Sequence, residues 1–374
     1  MGRFIMKIGV LTSSRADYGI YLPLLNKLKN DSFFQLEIIA FGTHLSKSHG
    51  YTLTEIEKKG YHCIHAISSL ISNDDEQSIA TSYGLTVLKF ADFWKINKYD
   101  LVFCLGDRFE MSAAVQAGIP FGVNFAHIHG GETTLGAIDN IYRHQITLSS
   151  KLHLTATDVF TNKIVQLNNS KEGVFTVGSL SIEDIKNFIP IDKSIFYKKF
   201  NIPNQEFALI TFHPETIESN HNILFAIEMR KALAKIATKL FLIITMPNAD
   251  TMGSIFRAEI EILKNLLPKQ VLCIENFGKE NYFSAMFYSK IMIGNTSSGI
   301  IEAASFNKYV INVGNRQKGR IQNNNILNAA FNKEDIIEKT FIALNLGVYS
   351  GKNIYYKERA ADNIIEILKR YEEF

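Results

Sequence analysis

At 374 residues the chain exceeds one typical α/β domain and is long enough to bury two cores. Hydrophobic residues at 46% and charged ones at 21% exclude a disordered or membrane-embedded chain. A net charge of +3, with Lys and Arg scattered along the sequence, excludes an electrostatic nucleic-acid binder and leaves small anions as the expected ligands.

Residues 1–5 read as a leader or an expression remnant, since the first strand pattern starts at Met6. Met1-Gly2 invites myristoylation, but position 6 is Met where Ser or Thr is needed. No basic segment followed by an apolar run opens the chain, and no stretch approaches the roughly 20 apolar residues of a membrane span. Cys63, Cys104 and Cys273 are widely separated, so no disulfide framework is expected and a reducing cytoplasm fits.

Short apolar runs at Lys7–Leu11, Leu36–Phe41, Leu101–Leu105 and Phe121–His127 read as buried parallel strands. Between them, Tyr21–Leu28, Leu53–Lys59, Gln77–Trp94 and Met111–Ala117 carry helical spacing, with Gly118-Ile119-Pro120 as a stop. Around residues 180–205 Asp, Asn, Lys and two prolines break the rhythm into a connection with short helices. A second series follows, with strands at Phe207–Thr211, Leu240–Thr245, Gln270–Ile274, Ile291–Ile293 and Val310–Asn312, and helices such as Asn222–Ala237 and Ile255–Leu266. The fold class so read is α/β, two Rossmann-like doubly wound domains facing a cleft. Expected boundaries are 1–185, 186–356 and a terminal segment 357–374, whose helix Lys357–Tyr371 caps its own domain or crosses back to the first.

In such sheets reactive groups stand in loops beyond the carboxyl ends of strands. The first such loop, Thr12 to Gly19, opens a helix where backbone N–H groups and Arg15 can hold phosphate, or where Ser14 is an ordinary N-cap. The second, Gly106-Asp107-Arg108-Phe109-Glu110, projects Asp107 after a tight turn, or uses it as a cap. The third is densest: His127-Ile128-His129-Gly130-Gly131-Glu132, then Asp139, Arg143 and His144. Alternation places His127 and His129 on one side of an extended segment, and the glycines let Glu132 join them. A metal site competes with this reading, but one alternating pair plus a carboxylate is a weaker signal than a helical His-Glu-x-x-His, and the expectation is no metal. Asp139 and Arg143, four apart, form either a surface ion pair or an acid–base carboxylate held by a guanidinium.

The fourth loop, Gly294 to Glu302, joins a strand to a helix through Thr296, Ser297 and Ser298, a cradle suited to diphosphate, with Glu302 placed for ribose hydroxyls. Phe212-His213-Pro214-Glu215-Thr216 and Gly314 to Arg320 follow strands too, the latter with Arg316, Lys318 and Arg320 within five residues. No Gly-x-Gly-x-x-Gly, Walker-type loop or Gly-x-Ser-x-Gly elbow is present, so dinucleotide, ATP and serine-hydrolase chemistry lack support.

Ser14-Arg15-Ala16-Asp17-Tyr18, Gly106-Asp107-Arg108, His127-x-x-Gly130-Gly131-Glu132 with Ile138-Asp139-x-x-x-Arg143-His144, Phe212-His213-Pro214, Asn295-x-Ser297-Ser298-Gly299 and Gly314-Asn315-Arg316-Gln317 stand in one order. These blocks resemble the UDP-N-acetylglucosamine 2-epimerase family, and more closely its hydrolysing branch of sialic- and legionaminic-acid-type pathways, over roughly residues 6–370. The resemblance implies a fold like the B-type glycosyltransferases and a reaction without cofactor: anti elimination of UDP to a 2-acetamido glycal, then hydration with inversion at carbon 2.

On the matched positions the resemblance implies Asp107 and Asp139 as acid–base or cation-stabilising carboxylates, Glu132 as their neighbour, and Arg143 orienting Asp139. It implies Arg15, His213, Ser297, Ser298 and Arg316 at the diphosphate and Glu302 at the ribose, with Asp17, Asn248 and Arg320 completing the binding set. Many members carry Glu where this chain has His129, and the loop from Glu132 to Asp139 is one residue longer, so either Glu132 or His129 transfers the proton. A Lys common shortly after the first motif's Arg is replaced by Ile20 and Tyr21.

The expected substrate is UDP-N-acetylglucosamine, giving free N-acetylmannosamine-type sugar and UDP. The alternatives are UDP-N,N'-diacetylbacillosamine, a non-hydrolysing 2-epimerase, a glycosyltransferase and, in a different class, a non-catalytic nucleotide-sugar-binding regulator. A homodimer or higher homo-oligomer is compatible with the family; no nucleic-acid or membrane partner is expected.

Overall fold

The computed structural model describes residues 5–47, 50–71, 73, 75–217, 219–247 and 253–370. The chain divides into two compact units. The first holds residues 1–132, 139–184 and 355–374, and the second residues 133–138 and 185–354.

In the first unit the elements run β1 (Met6–Thr12), α1 (Arg15–Asn30), β2 (Phe34–Phe41), α2 (Leu53–Glu57), β3 (Cys63–Ile67), α3 (Glu76–Ile96), β4 (Leu101–Leu105), α4 (Phe109–Gly118), β5 (Phe125–Ile128), α5 (Asp139–Leu148), β6 (Leu152–Thr155), α6 (Asp158–Asn168) and β7 (Val174–Thr176). The sheet is parallel, in the order β3-β2-β1-β4-β5-β6-β7. Strand order reverses between β1 and β4, so the loops after those strands diverge to opposite faces, the usual place for a ligand in an open sheet.

Alternation along the strands loads both faces. Ile8, Val10, Ile38 and Ala40 join one core layer, while Leu11, Ile39 and Phe41 join the other with Phe90 and Trp94 of α3. Trp94 is fully buried, and its indole N–H donates to the Ala114 carbonyl at 3.0 Å, so its polar atom is satisfied.

The second unit repeats the plan with α7 (Lys193–Phe200), β8 (Phe207–Thr211), α8 (Asn222–Ile236), β9 (Phe241–Thr245), α9 (Gly253–Leu266), β10 (Val271–Ile274), α10 (Lys279–Tyr288), β11 (Ile291–Gly294), α11 (Ser297–Ile301), β12 (Val310–Val313), β13 (Ile326–Ala329) and α12 (Lys333–Leu346). Its parallel order β10-β9-β8-β11-β12-β13 reverses between β8 and β11. Core layers again lie on both faces, with Ala208 and Ile210 on one and Phe207 and Leu209 on the other. Both units are therefore Rossmann-like.

The last element, α13 (Ala360–Lys369), adds Ala360, Ala361, Ile364 and Leu368 to the core of the first unit. Lys27 pairs with Asp362 at 2.8 Å and Lys369 with Asp31 at 2.6 Å along its contact with α1. Its expected end at Tyr371 lies outside the described residues.

Three sequence expectations change. The strand expected over Phe121–His127 is only Phe125–Ile128, because Ile119–Phe121 closes a 3-10 turn and Gly122 takes a left-handed φ of +65°. Strands β3, β6, β7 and β13 were not anticipated. Each has only three to five residues, and β3, β7 and β13 are at sheet edges, so sequence period alone is weak there. Residues 133–138, expected inside an N-terminal domain of 1–185, group with the second unit. There Leu135 N donates to the Lys318 carbonyl at 2.8 Å and Ile138 N to Thr216 Oγ1 at 2.9 Å.

Among the described residues no helix is long and apolar enough to cross a membrane. Cys63, Cys104 and Cys273 are free thiols.

Candidate functional site

In the first unit, the loop between β1 and α1 is organised around one carboxylate. Ser14 is the N-cap of α1 in a capping box with Asp17. Asp17 is 5% exposed, and its oxygens accept from the backbone N–H groups of Ser13 (2.7 Å), Ser14 (2.9 Å) and Tyr18 (2.8 Å) and from the hydroxyls of Thr12, Ser13 and Ser14. Two expectations are corrected here. The N–H groups of Ser13 and Ser14 serve Asp17 instead of standing open for phosphate, and Asp17 shapes the loop from within. Beneath it, buried His44 places Nε2 2.9 Å from Thr12 Oγ1 and Nδ1 2.7 Å from Thr52 Oγ1. Burial holds this imidazole below its ordinary value despite the nearby Asp17. Arg15, the first residue of α1, is half-buried above this frame.

After β4, Gly106 turns with φ +77°. The N-cap of α4 is Arg108, so Asp107 is not a cap. Asp107 is 24% exposed and accepts a hydrogen bond from the Arg143 guanidinium. Arg108 instead forks onto Glu110 with bonds of 2.9 and 3.2 Å.

After β5 the expected extended alternation fails at its second histidine. The strand ends at Ile128, and His129 adopts φ +63°. His127 and His129 are thereby given separate surroundings. His127 is fully buried; its Nε2 donates to the Gly106 carbonyl at 2.8 Å, and Nδ1 accepts from Thr147 at 3.1 Å. Burial pushes this imidazole down to about 3, so it is a neutral tether between β5, the Gly106 turn and α5.

His129 places Nδ1 2.6 Å from Glu132 Oε1 and Nε2 3.5 Å from Ser179 Oγ. Arg143, on α5 and 1% exposed, donates to the His129 carbonyl at 2.7 Å and lies 3.9 Å from Glu132 Oε2. The guanidinium expected to orient Asp139 is thus spent on Asp107, His129 and Glu132. Asp139 is the first residue of α5 and is half-buried. The first unit therefore gathers Asp107, Glu132, His129 and Arg143 in one hydrogen-bonded group, a cation holding two carboxylates and an imidazole on one of them. Such a group can accept and return protons in an environment largely closed to water.

In the second unit, buried Asn295 links two loops. Its Oδ1 accepts from His213 N at 2.7 Å and its Nδ2 donates to the His213 carbonyl at 2.8 Å, while Gln317 Nε2 donates to the Asn295 carbonyl at 2.8 Å. Glu215 Oε1 accepts from Asn315 N at 2.5 Å, which ties the loop after β8 to the one after β12. Thr296 caps α11. Ser298 Oγ donates to Glu302 Oε2 at 2.8 Å and lies 3.0 Å from the hydroxyl of Tyr282, whose burial pushes its phenol up to about 12.

The structure thus brings His213, Ser297, Ser298, Glu302 and Arg316 to the carboxyl ends of β8, β11 and β12, with Arg320 further along the same loop as Arg316. Asn248 lies outside the described residues. Sequence reasoning did not single out Ser179, Glu215, Tyr282, Asn295 or Gln317 as organisers. Asn295, Gln317 and Glu215 stood inside or next to the quoted motifs, but their partners are 22 to 100 residues away in sequence.

Known proteins resemble this chain in sequence and in fold. A family profile described as UDP-N-acetylglucosamine 2-epimerase matches residues 26–369. The chain is 36% identical over 335 residues to the GDP/UDP-N,N'-diacetylbacillosamine 2-epimerase (hydrolyzing) of Campylobacter jejuni, covering 88% of this chain and 85% of that protein. It is 30% identical over 368 residues to the UDP-N,N'-diacetylbacillosamine 2-epimerase (hydrolyzing) of Legionella pneumophila, covering 98% and 96%. The crystal structure of UDP-GlcNAc 2-epimerase from Neisseria meningitidis, bound to UDP-GlcNAc, superposes with a TM-score of 0.79 at 17% identity, covering 98% of this chain and all of that one. At that identity the likeness is one of fold: two Rossmann-like α/β domains.

Proposed function

Since the chain belongs to the UDP-N-acetylglucosamine 2-epimerase family, whose members epimerise UDP-sugars at carbon 2, we propose that it is a hydrolysing 2-epimerase of UDP-N,N'-diacetylbacillosamine. The products are UDP and the free 2-epimeric diacetamido sugar. The observation that carries this choice of sugar is the 36% and 30% identity to two hydrolysing enzymes named for N,N'-diacetylbacillosamine, the first as its GDP or UDP derivative and the second as its UDP derivative. UDP-N-acetylglucosamine, the substrate expected from the motifs, becomes the second choice; the chemistry is the same.

In the first step a base takes the carbon-2 proton while the C1–O bond to the diphosphate breaks. The C–H electron pair becomes the C1=C2 double bond of a glycal, and UDP departs with the C–O pair. Water then adds its oxygen to carbon 1, and a proton reaches carbon 2 from the opposite face. Every step is redox-neutral and needs positioned carboxylates and cations.

Glu132 takes the proton-transfer role together with His129, a reading supported by the 2.6 Å contact between His129 Nδ1 and Glu132 Oε1. Asp107, bracketed by Arg143, and Asp139 face the growing positive charge at carbon 1. Arg15, His213, Ser297, Ser298, Arg316 and Arg320 hold the leaving diphosphate and Glu302 the ribose. Asp17 keeps the loop that carries Arg15 in shape.

The test is incubation with both UDP-sugars in deuterated water, followed by NMR. The expected result is free sugar with inverted, deuterated carbon 2, plus UDP, with kcat/KM higher for the diacetamido substrate. Recovery of an intact epimerised nucleotide sugar would make the enzyme non-hydrolysing, and a preference for UDP-N-acetylglucosamine would return the sugar to the first expectation. Absence of any turnover, with UDP still bound, would leave a nucleotide-sugar-binding regulator.

A further inference from the structure

At the opposite end of the first sheet from its reactive loops, four polar side chains share one face near the amino ends of β1 to β3. Lys7 is the second residue of β1, Glu37 sits on β2, and Cys63 and His65 begin the edge strand β3. Register pairs Glu37 with Cys63 across the two strands, and the two-residue period puts His65 on the same face as Cys63.

His65 Nε2 lies 3.0 Å from Glu37 Oε2 and 3.4 Å from Cys63 Sγ, and the three donor atoms all fall within 4.8 Å of one another. Around a tetrahedral zinc ion with ordinary bond lengths, such donors stand roughly 3.3–3.6 Å apart. Small side-chain adjustments therefore suffice to place an ion between them. Among the described residues this is the one group of three or more Cys, His, Asp and Glu side chains so arranged.

We propose that Glu37, Cys63 and His65 form a binding site for a zinc-class divalent transition metal, with water in the fourth position. It would clamp the edge strand β3 to β2. This goes beyond the proposed reaction and does not depend on it.

The donor set, one thiolate, one imidazole and one carboxylate, suits zinc rather than calcium or magnesium, which take oxygen ligands. An outer layer is already in place. Tyr99 donates its hydroxyl to Glu37 Oε2 at 2.8 Å, and the His65 ring packs edge-on to Phe93 at 5.0 Å between centroids. Lys7 Nζ, 2.9 Å from Glu37 Oε1, is the cation that balances the carboxylate without metal; its side chain is 31% exposed, so it can stay on Oε1 or swing into water. Binding moves two protons. The Cys63 thiol releases its proton to solvent as the S–metal bond forms. His65 transfers its ring proton from Nε2 to Nδ1 so that Nε2 can ligate.

The experiment uses the full chain stripped with a chelator and titrated with Co2+, then Zn2+. The expected result is one cobalt per chain, with the near-ultraviolet sulfur-to-cobalt charge-transfer band, displaced by zinc. Cys63→Ser and, separately, His65→Gln should each weaken cobalt binding at least 100-fold and remove the band. Cys104→Ser and Cys273→Ser should leave it. Zinc should raise the thermal unfolding midpoint of the wild type but not of Cys63→Ser. A titration without the band, or a band that persists in folded Cys63→Ser or His65→Gln, overturns the proposal.

Discussion

His129 and Glu132 are joined across three residues by a 2.6 Å contact between Nδ1 and Oε1, with both side chains almost wholly buried. His129 makes it from the left-handed backbone region, at φ +63°, where non-glycine residues are uncommon although His is enriched there alongside Asn and Asp. Strain of this kind concentrates at functional positions. If the two side chains act as one proton-transfer unit, Glu132→Gln and His129→Gln should each lower kcat at least about 100-fold, and the double variant should lose little more. Multiplying losses in the double variant, read from deuterium incorporation at carbon 2, would show that they act independently.

Arg143 donates to Asp107 and to the His129 carbonyl and approaches Glu132 while almost fully buried. Arg143→Met removes one of the cations that act on buried Glu132, Lys163 being another, and should destabilise the fold by about 2–4 kcal/mol in urea unfolding, with turnover abolished. Asp107→Asn should cost no more than about 1 kcal/mol, because that carboxylate is partly solvated, yet lower kcat at least about 100-fold. Full activity in Asp107→Asn would remove Asp107 from the reaction.

Asp17 accepts from both Ser13 N and Ser14 N. Asn at this position sets an amide donor against one of those N–H groups, so Asp17→Asn should loosen the loop under Arg15. We expect a rise in KM for the nucleotide sugar of about tenfold and a stability loss of about 1–3 kcal/mol. Unchanged KM would confine Asp17 to folding.

Gly294 closes β11 at φ +145°, and a Cβ there would stand 1.8 Å from the Thr211 carbonyl oxygen, whereas at Gly106, φ +77°, the added methyl meets nothing within 4 Å. Gly294→Ala should therefore prevent folding of the second unit or cost more than about 3 kcal/mol, against about 1 kcal/mol for Gly106→Ala. Comparable unfolding midpoints for the two variants would contradict this.

His127 titrates at about 3 in the folded chain against an ordinary 6.5. The folded state thus holds fewer protons than the unfolded one, and the contribution is complete above about pH 6.5 and is lost as pH falls toward about 3. The slope is about 1.4 kcal/mol per pH unit for one group. Buried His153, held down to about 4, adds to the same acid limb. In His127→Gln the loss of stability between about pH 6 and about pH 4 should be shallower by about one proton, measured by urea unfolding across that range. An unchanged slope would mean that His127 is not buried neutral.

What the sequence by itself determined was everything carried by local period and by motif. Ile8-Gly9-Val10-Leu11 and Phe207 to Thr211 declare buried parallel strands because every side chain in them must leave water. The order of blocks from Ser14-Arg15 to Gly314-Asn315-Arg316 places the candidate groups at the carboxyl ends of those strands, since a strand followed at once by a polar turn and a helix has little other geometry open to it.

Only the tertiary structure decided how those groups are partnered. Arg143 could be paired with Asp139 by helical spacing, but the turn after β4 delivers Asp107, 36 residues earlier, to the same guanidinium. His127 and His129 look equivalent two residues apart, yet one positive φ gives the first a buried structural post and the second a carboxylate. Sequence spacing limits which side chains can meet within one element. The partner of a buried charge is whichever group the packing of other elements leaves beside it, and that follows from the closed fold.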